Sequence, residues 1–187
     1  MDLSTGAVVF LFLTCHLCEA EDRKYNSVLT VDNGGQWGEW GKIEFCPKGH
    51  ANGFSVKFQV EQGITGDDTG LNGIHLHCSS GGVVQSTVGP FGGSVTVEKC
   101  PRNSYLVAFA LKVEAPQGPG DDTAANNIQF SCSDGTRLEG YANDVGTYGQ
   151  WSKRCTTGAI CGIQTKVEPI VSVDSTALND VKFFCCD

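Results

Sequence analysis

Apolar and polar residues alternate strictly along two stretches of the chain and more weakly along a third. The clearest stretch is residues 54–61, Phe-Ser-Val-Lys-Phe-Gln-Val-Glu, and residues 107–114 and 161–168 follow the same period. A period of two places every second side chain on one face, which is typical of a half-buried β-strand. With 24 glycines and almost no stretch of helix-forming composition, the sequence predicts an all-β fold of short antiparallel strands and glycine-rich turns.

A longer motif follows each of these strands. The pattern Asp-x-Thr-x-x-Asn-x-(Ile/Val)-x-(Leu/Phe)-x-Cys begins at Asp67, Asp121 and Asp174, so the copies lie 54 and 53 residues apart. Its second half alternates again, which predicts a second strand after each turn. So regular a period indicates one unit of roughly 50 residues that was used three times and packs around a shared axis.

A shorter motif, Gly-x-aromatic-Gly, precedes each of the strands. It begins at Gly35, Gly89 and Gly146; Trp40 and Trp151 extend it in the first and third copies, whereas Ser94 breaks it in the second. The sequence therefore predicts a single domain over residues 21–187. Its three repeat units cover approximately residues 34–80, 88–134 and 145–187.

Three small sheets, each apolar on one face, must bury those faces against one another. A closed threefold arrangement, a triangular β-prism, would do so around one core. A two-sheet sandwich and a small propeller are the alternatives, but a sandwich does not call for triplication and a propeller of three blades would be unusually small. The side chains expected in the shared core are Phe54, Phe58, Phe109, Leu111, Ile163 and Val167.

The start of the chain predicts its compartment. Residues 7–13 form an apolar run, and Cys18-Glu19-Ala20 places small residues before a cleavage point, so residues 1–20 are predicted to be a cleaved secretory signal. The run is too short to span a membrane. The segment departs from the usual pattern because it contains no Lys or Arg. We expect a secreted, extracellular protein.

The charge of the chain is acidic. The formal net charge of −8 becomes −6 when Asp2 and Glu19 leave with the signal. Nucleic-acid binding needs clustered basic residues, so this balance argues against a nucleic-acid partner. It is compatible with cationic extracellular proteins or neutral glycans as partners, and equally with a charge that only maintains solubility.

Of ten cysteines, Cys15 and Cys18 belong to the predicted signal, and an even number remains. An even count in a secreted β-domain predicts disulfides. Cys46–Cys78 and Cys100–Cys132 occupy equivalent positions and both span 32 residues, so we predict these two pairs. Cys155 and Cys185 are the counterparts in the third unit, which leaves Cys161 and Cys186, although the neighbours Cys185 and Cys186 could exchange partners.

The threefold Asp-x-Thr-x-x-Asn repeat, the opening Gly-Gly-Gln-Trp-Gly-Glu-Trp-Gly at residues 34–41 and the eight-cysteine frame resemble the vitelline membrane outer layer protein 1 family. The resemblance covers the chain from about Ser27 to Cys186. It implies a β-prism of three Greek-key sheets with a pseudo-threefold axis. It also implies a secreted structural or binding component of an extracellular coat or fluid, because the avian member is a component of the egg's outer vitelline layer.

The same resemblance implies, as an alternative, an enzyme that transfers or weakly hydrolyses N-acetylglucosamine oligosaccharides. Such chemistry needs two carboxyl groups about 5–5.5 Å apart for retention, or about 6.5–9.5 Å for inversion. Asp, Thr and Asn in turns also bond to nearby backbone N–H groups, and strand-end Glu residues are often only solvated, so architecture is the competing interpretation. The candidates are Glu61, Glu114 and Glu168, which close equivalent strands, and Asp67, Asp68, Asp121, Asp122 and Asp174 in the turns.

Tryptophans suggest a third hypothesis, a lectin-like module without turnover, since flat aromatic faces stack on sugar rings. The repeated positions of Trp37, Trp40 and Trp151 favour packing under the glycine turns instead. Trp40 and Trp151 are the better candidates for exposed glycan stacking, because the second unit has no aromatic residue there.

Neither a cofactor nor a metal centre is predicted. His75 and His77 lie two residues apart on one strand face, but no third ligand accompanies them. The expected partners are N-acetylglucosamine oligosaccharides or basic extracellular matrix proteins.

Overall fold

The computed structural model describes residues 23–59, 69–94, 96–114, 125–142, 144–169 and 176–187. The predicted signal at residues 1–20 lies outside them. None of these residues forms a helix long and apolar enough to cross a membrane. Their strands are β1 Ser27–Leu29, β2 Glu39–Trp40, β3 Glu44–Phe45, β4 Ala51–Phe58, β5 Leu71–Cys78, β6 Val83–Val84, β7 Gly93–Ser94, β8 Glu98–Lys99, β9 Leu106–Val113, β10 Ala125–Cys132, β11 Arg137–Glu139, β12 Thr147–Tyr148, β13 Ala159–Val167 and β14 Leu178–Cys186.

The strands form three antiparallel sheets. Sheet I has the order β6-β5-β4-β7, with β8 also pairing with β4, and sheet II has the order β11-β10-β9-β12. Sheet III has the order β1-β14-β13-β2, with β3 also pairing with β13. In sheets I and II a long hairpin is flanked by a third strand, and a later strand returns beside the first, which is Greek-key topology. In sheet III the same two places are taken by β1 and β2, which precede the hairpin in the chain. The triangular prism predicted from the repeat and the Greek-key sheets implied by the family resemblance are confirmed.

The two ends of the chain close the prism. Strands β1, β2 and β3 join sheet III, whose long hairpin is the last of the chain. Likewise, β7 and β12 follow the hairpins of sheets I and II and return to them. Each sequence repeat therefore contributes its short strands to one sheet and its long hairpin to the next, so the repeats straddle the corners of the prism.

Aromatic side chains from all three sheets meet at the centre. The ring centroids of Phe130 lie 4.6 Å from Phe54 and 5.1 Å from Phe183, and those of Phe109 and Phe183 lie 4.8 Å apart. All four side chains are fully buried. The predicted core residues Leu111, Ile163 and Val167 are buried as well, and Phe58 is partly buried against them. Phe130 and Phe183, which lie on the second strand of their hairpins, were not among the predicted core residues.

Disulfides join each sheet to its neighbours. Cys46–Cys78 connects sheet III to sheet I, and Cys100–Cys132 connects sheet I to sheet II. Cys155, whose N–H bonds to β9, connects sheet II to sheet III through Cys185. Cys161–Cys186 lies within sheet III. These include the two pairs predicted from equivalent spacing, and Cys185 and Cys186 do not exchange partners.

The glycine motif has a different register in the third repeat from the one expected. Gly38, Gly92 and Gly146 all have positive φ, and a Cβ on each would meet the backbone at the end of the adjoining long strand. Gly146 therefore corresponds to the closing glycine of the motif rather than to its opening glycine. Val145 takes the place of Trp37 and Phe91, while Tyr148 takes the place of Trp40 and Ser94, because β2, β7 and β12 pair with equivalent residues.

We expect Gly92→Ala to lower the free energy of unfolding by about twice as much as Gly81→Ala. Both glycines have positive φ, which costs an L-residue about 1–2 kcal/mol. Only at Gly92 would the added Cβ also collide with the carbonyl oxygen of Phe58, whereas nothing lies near Gly81. Denaturant unfolding of the two variants measures the difference, and equal losses would contradict the assigned role of the motif's closing glycine.

Candidate binding site

The Asn of each long motif lies at a β-bulge at one end of the prism. Asn72, Asn126 and Asn179 fall at the point where the pairing register of β5, β10 and β14 shifts by one residue. A bulge of this kind re-aims a side chain relative to the regular strand. All three Asn side chains are fully buried. We call this end the loop end, because the Gly-x-aromatic-Gly segments also lie here.

A chain of hydrogen bonds connects the two motifs in sheet III. The Thr176 hydroxyl donates to Glu168 Oε2 over 2.6 Å, and Asn179 Nδ2 donates to Thr176 Oγ1 over 2.6 Å. Asn179 Oδ1 then accepts the backbone N–H of Trp37 over 3.2 Å. The strand end, the turn and the glycine loop are therefore held together by one buried polar network.

Sheet I contains the same network with one change. Asn72 bonds to Thr69 over 2.6 Å and accepts the N–H of Phe91 over 3.2 Å, but the Thr69 hydroxyl donates to Gln59 over 2.8 Å. Gln59 is the counterpart of Glu168, because the backbone N–H of Gln59 donates to Gly70 O and that of Glu168 donates to Ala177 O, and both acceptors directly precede the second long strand of their sheet. The expectation that Glu61 closes an equivalent strand stays a prediction.

An uncharged amide thus makes the same hydrogen bond as the carboxylate of Glu168. Glu168 Oε2 also accepts the backbone N–H of Thr176 over 3.1 Å, which fixes the turn. Glu114 follows Val113 at the corresponding position of sheet II. These contacts give Glu168 an architectural role, whereas a solvated strand end was the competing expectation for the Glu residues. Glu61 and the candidates Asp67, Asp68, Asp121, Asp122 and Asp174 lie outside the described residues.

The loop that contains Trp37 is fixed at several points. The Gly35 N–H donates to Asn179 O over 2.7 Å, and Lys166 Nζ donates to Gln36 O over 2.6 Å. Gly34 packs against the Asp180 side chain, and burial raises the pKa of that carboxyl group. The backbone around Trp37 is therefore held before any ligand arrives.

The Trp37 side chain itself is 63% exposed. The expectation that it packs under the glycine turn is wrong. At the equivalent positions Phe91 is 36% exposed and Val145 is 43% exposed, and Tyr141, beside Phe58, is 72% exposed. An apolar side chain thus projects at each corner of the loop end. Exposed apolar groups collected on one surface mark interaction sites.

The predicted stacking candidates are placed differently. Trp40 is partly buried and has Lys182 Nζ 3.9 Å from its ring centroid, while Arg137 lies 5.3 Å from the ring centroid of Trp151. A cation over an aromatic face is a favourable contact, so one face of each indole is already occupied. Glycines on both sides of Trp37 were the sequence signal for a projecting residue, and we missed it.

No group of three or more His, Cys, Asp or Glu side chains suited to a metal ion occurs in the part of the chain that the structure describes.

Comparisons with known proteins agree with this architecture. A family model described as vitelline membrane outer layer protein I (VOMI) matches residues 27–187. A Mus musculus protein named vitelline membrane outer layer protein 1 homolog is 46% identical over 201 residues, covering 100% of this chain and 99% of its own. A Homo sapiens protein of the same name is 47% identical over 189 residues, covering 96% and 93%.

Several solved structures with the same fold are lectins or agglutinins by name. Calystegia sepium agglutinin superposes with a TM-score of 0.58 at 13% identity, covering 87% of this chain and 97% of its own. AcmJRL, a mannose binding jacalin related lectin from Ananas comosus, superposes with a TM-score of 0.53 at 13% identity, covering 84% and 95%. At this identity the similarity shows a shared β-prism fold.

Proposed function

Because the chain belongs to the vitelline membrane outer layer protein I family, we propose that it is a secreted component of an extracellular coat or fluid that binds glycans at its loop end. The predicted signal at residues 1–20 supports secretion, and so do four disulfides, which form and persist in oxidising compartments. Covalent links between all three sheets suit a protein that must persist outside the cell.

The exposed indole of Trp37 is the observation that carries the glycan proposal. An aromatic face is useful to a ligand when it is exposed and does not have to be ordered on binding, since ordering costs free energy. Asn179 and Lys166 already hold the loop, and 63% of the Trp37 side chain is exposed. A pyranose ring has a polar rim and an apolar C–H face, and that face can stack on an exposed aromatic side chain.

We propose N-acetylglucosamine oligosaccharides as the ligand. They are uncharged, so the acidic protein does not repel them, and their acetamido methyl groups add apolar surface for Phe91 and Tyr141. The lectin names of proteins with the same fold support saccharide binding by analogy only. Basic extracellular matrix proteins are a second class of partner, favoured by the acidic charge.

The transferase alternative receives less support. The carboxylate of Glu168 is engaged with Thr176, and Gln59 takes its place in sheet I. A general acid or base needs a carboxyl group that faces the substrate. We therefore place binding ahead of turnover, and analysis of the oligosaccharide after incubation distinguishes the two.

Calorimetric titration with N-acetylglucosamine hexamer tests the proposal. We expect Trp37→Ala to weaken binding at least about tenfold, equivalent to a loss of about 1.4 kcal/mol, because the stacking surface is removed. Trp151→Ala is the matched control, and we expect it to bind like the unmodified protein. Mass spectrometry of the recovered sugar should show unaltered hexamer. Equal affinities for all three proteins would refute the site, and longer or shorter oligomers would favour the transferase.

A further inference from the structure

The outer face of sheet I differs in charge from the equivalent faces of the other two sheets. Asp180 on sheet III pairs with Lys166, and Glu139 and Asp144 accompany the outer face of sheet II. The position of Asp180 is occupied in sheet I by Gly73, opposite Lys57. Among the described residues, only this outer face lacks an acidic group.

Four side chains that are or can become cationic line this face. Lys57 lies on β4 and Lys99 on β8, and His75 and His77 lie on β5 between them. Other elements add no charge, since β6 provides Val83 and Val84 and β7 provides Gly93 and Ser94. Glu98, also on β8, pairs with the inward-facing Phe54, so it lies on the opposite side of its strand from Lys99.

The histidine rings are oriented by serine hydroxyls. Ser55 Oγ lies 3.1 Å from His77 Nε2, and Ser94 Oγ lies 3.2 Å from His75 Nδ1. One nitrogen of each ring is thus occupied, which leaves the other for a ligand. Lys57 Nζ donates to Gly89 O over 2.7 Å, and an ammonium group retains two further donors.

We propose that the outer face of sheet I is a second binding site, which takes an anionic saccharide carrying sulfate or carboxylate groups. Lys57 and Lys99 supply fixed positive charge, and the serines and imidazoles supply hydrogen bonds. Lys57 lies on β4, and Lys99 lies opposite Gly53, which is four residues from Lys57 along β4. The row of side chains from Lys57 to Lys99 therefore spans about 13 Å. A row of that length suits an extended ligand with several anionic groups better than a single ion.

The surroundings favour a saccharide over a protein or a metal. Protein interfaces are enriched in aromatic side chains at their centre, and the described residues of this face include none. A metal cation would be repelled by Lys57 and Lys99. The site lies apart from the loop of Trp37, so the test of this site does not depend on whether glycans bind at Trp37.

The two histidines make binding depend on pH. Burial lowers the pKa of both imidazoles, and neighbouring charges lower it further: His77 and Lys57 for His75, and Lys99 for His77. Both rings are therefore neutral at pH 7 and become charged only below the ordinary value of 6.5. Without a ligand, acidification through this range destabilises the fold, because the charged form is disfavoured there. A bound anion offsets that cost, so its affinity must rise as the pH falls.

Calorimetric titration with sucrose octasulfate at pH 7.5 and pH 5.5 tests the inference. We expect affinity about tenfold higher at the lower pH, since protonation of the imidazoles adds positive charge that faces the ligand. The gain should fall below about twofold in the double variant His75→Gln and His77→Gln, and persist in His50→Gln, whose imidazole lies at Cys186 O instead. Lys99→Gln should weaken binding at both values, and Trp37→Ala should leave it unchanged.

Two further probes identify the ligand class. An oligogalacturonate carries carboxylate groups in place of the sulfate groups of sucrose octasulfate. The saccharide that binds more tightly identifies the anionic group that the site prefers. Poly-L-glutamate tests for an acidic protein instead. Tighter binding of poly-L-glutamate than of either saccharide would overturn the saccharide assignment. Affinity that does not change with pH, or a gain that disappears equally in His50→Gln, would overturn the site itself.

Discussion

Replacement of Phe130 by alanine should lower the free energy of unfolding by about 3–5 kcal/mol. Phe130 is fully buried and contacts Phe54 of sheet I and Phe183 of sheet III. Its removal leaves a cavity at the one place where all three sheets meet, and closely packed interiors relax only partly around such a cavity. Equilibrium unfolding in guanidinium chloride, with the disulfides intact, measures the loss.

Phe91→Ala is the matched control for Phe130→Ala. Its side chain is 36% exposed and its backbone N–H, which bonds to Asn72, survives the substitution. We expect a change within about 1 kcal/mol. A loss below about 1.5 kcal/mol for Phe130→Ala would mean that the prism does not depend on a shared aromatic centre.

Asn179→Ala should destabilise the protein by about 2–4 kcal/mol, the second largest effect expected. The substitution removes the donor to Thr176 and leaves the N–H of Trp37 without its acceptor. A buried polar group that loses its partner costs about 1–3 kcal/mol. Because the same bond holds the Trp37 loop, the variant should also bind N-acetylglucosamine hexamer more weakly than its residual stability alone explains. Thermal unfolding and calorimetric titration measure the two effects.

Asn26→Ala controls for the loss of an asparagine whose side chain makes three hydrogen bonds, one of them from the Ser27 hydroxyl. Asn26 Nδ2 donates to Thr157 and Asp187, both over 2.9 Å, but at an exposed site. Water replaces those bonds, so we expect a loss within about 1 kcal/mol. If Asn179→Ala cost no more than Asn26→Ala, the buried network would not be a structural element of the loop end.

Much of the fold follows from local patterns. Period-two alternation at residues 54–61 and 107–114 predicted the long strands, because a half-buried strand needs that period whatever its surroundings. The repeat predicted threefold closure, because similar units that each have one apolar face have few ways to bury that face. Equivalent spacing of Cys46–Cys78 and Cys100–Cys132 reported their pairing, because equivalent positions in equivalent units are equally close.

The predictions that were wrong depended on contacts between residues that are distant in sequence. Gly146 and Gly149 both fit the glycine motif, and only the pairing of β12 with β9 shows that Gly146 is its closing glycine. A shift of two residues leaves a period-two pattern unchanged, so alternation did not show that Gln59 is the counterpart of Glu168.

The candidate site was misjudged for a related reason. Trp40 and Trp151 looked better placed for a ligand than Trp37. Lys182 on β14 and Arg137 on β11 cover them, although neither strand pairs with the segment that contains the tryptophan, and the sequence does not show such contacts across a sheet. The exposure of Trp37 depends on Asn179, which is more than 140 residues away along the chain.

Heteronuclear NMR of the indole N–H groups tests glycan binding at Trp37 most directly. The chain has three tryptophans, so the spectrum has three such signals, and Trp37→Phe assigns one of them. On titration with N-acetylglucosamine hexamer, we expect the Trp37 signal to shift and saturate while the signals of Trp40 and Trp151 stay in place. Movement of Trp40 or Trp151 with a stationary Trp37, or no movement at all, would contradict the account.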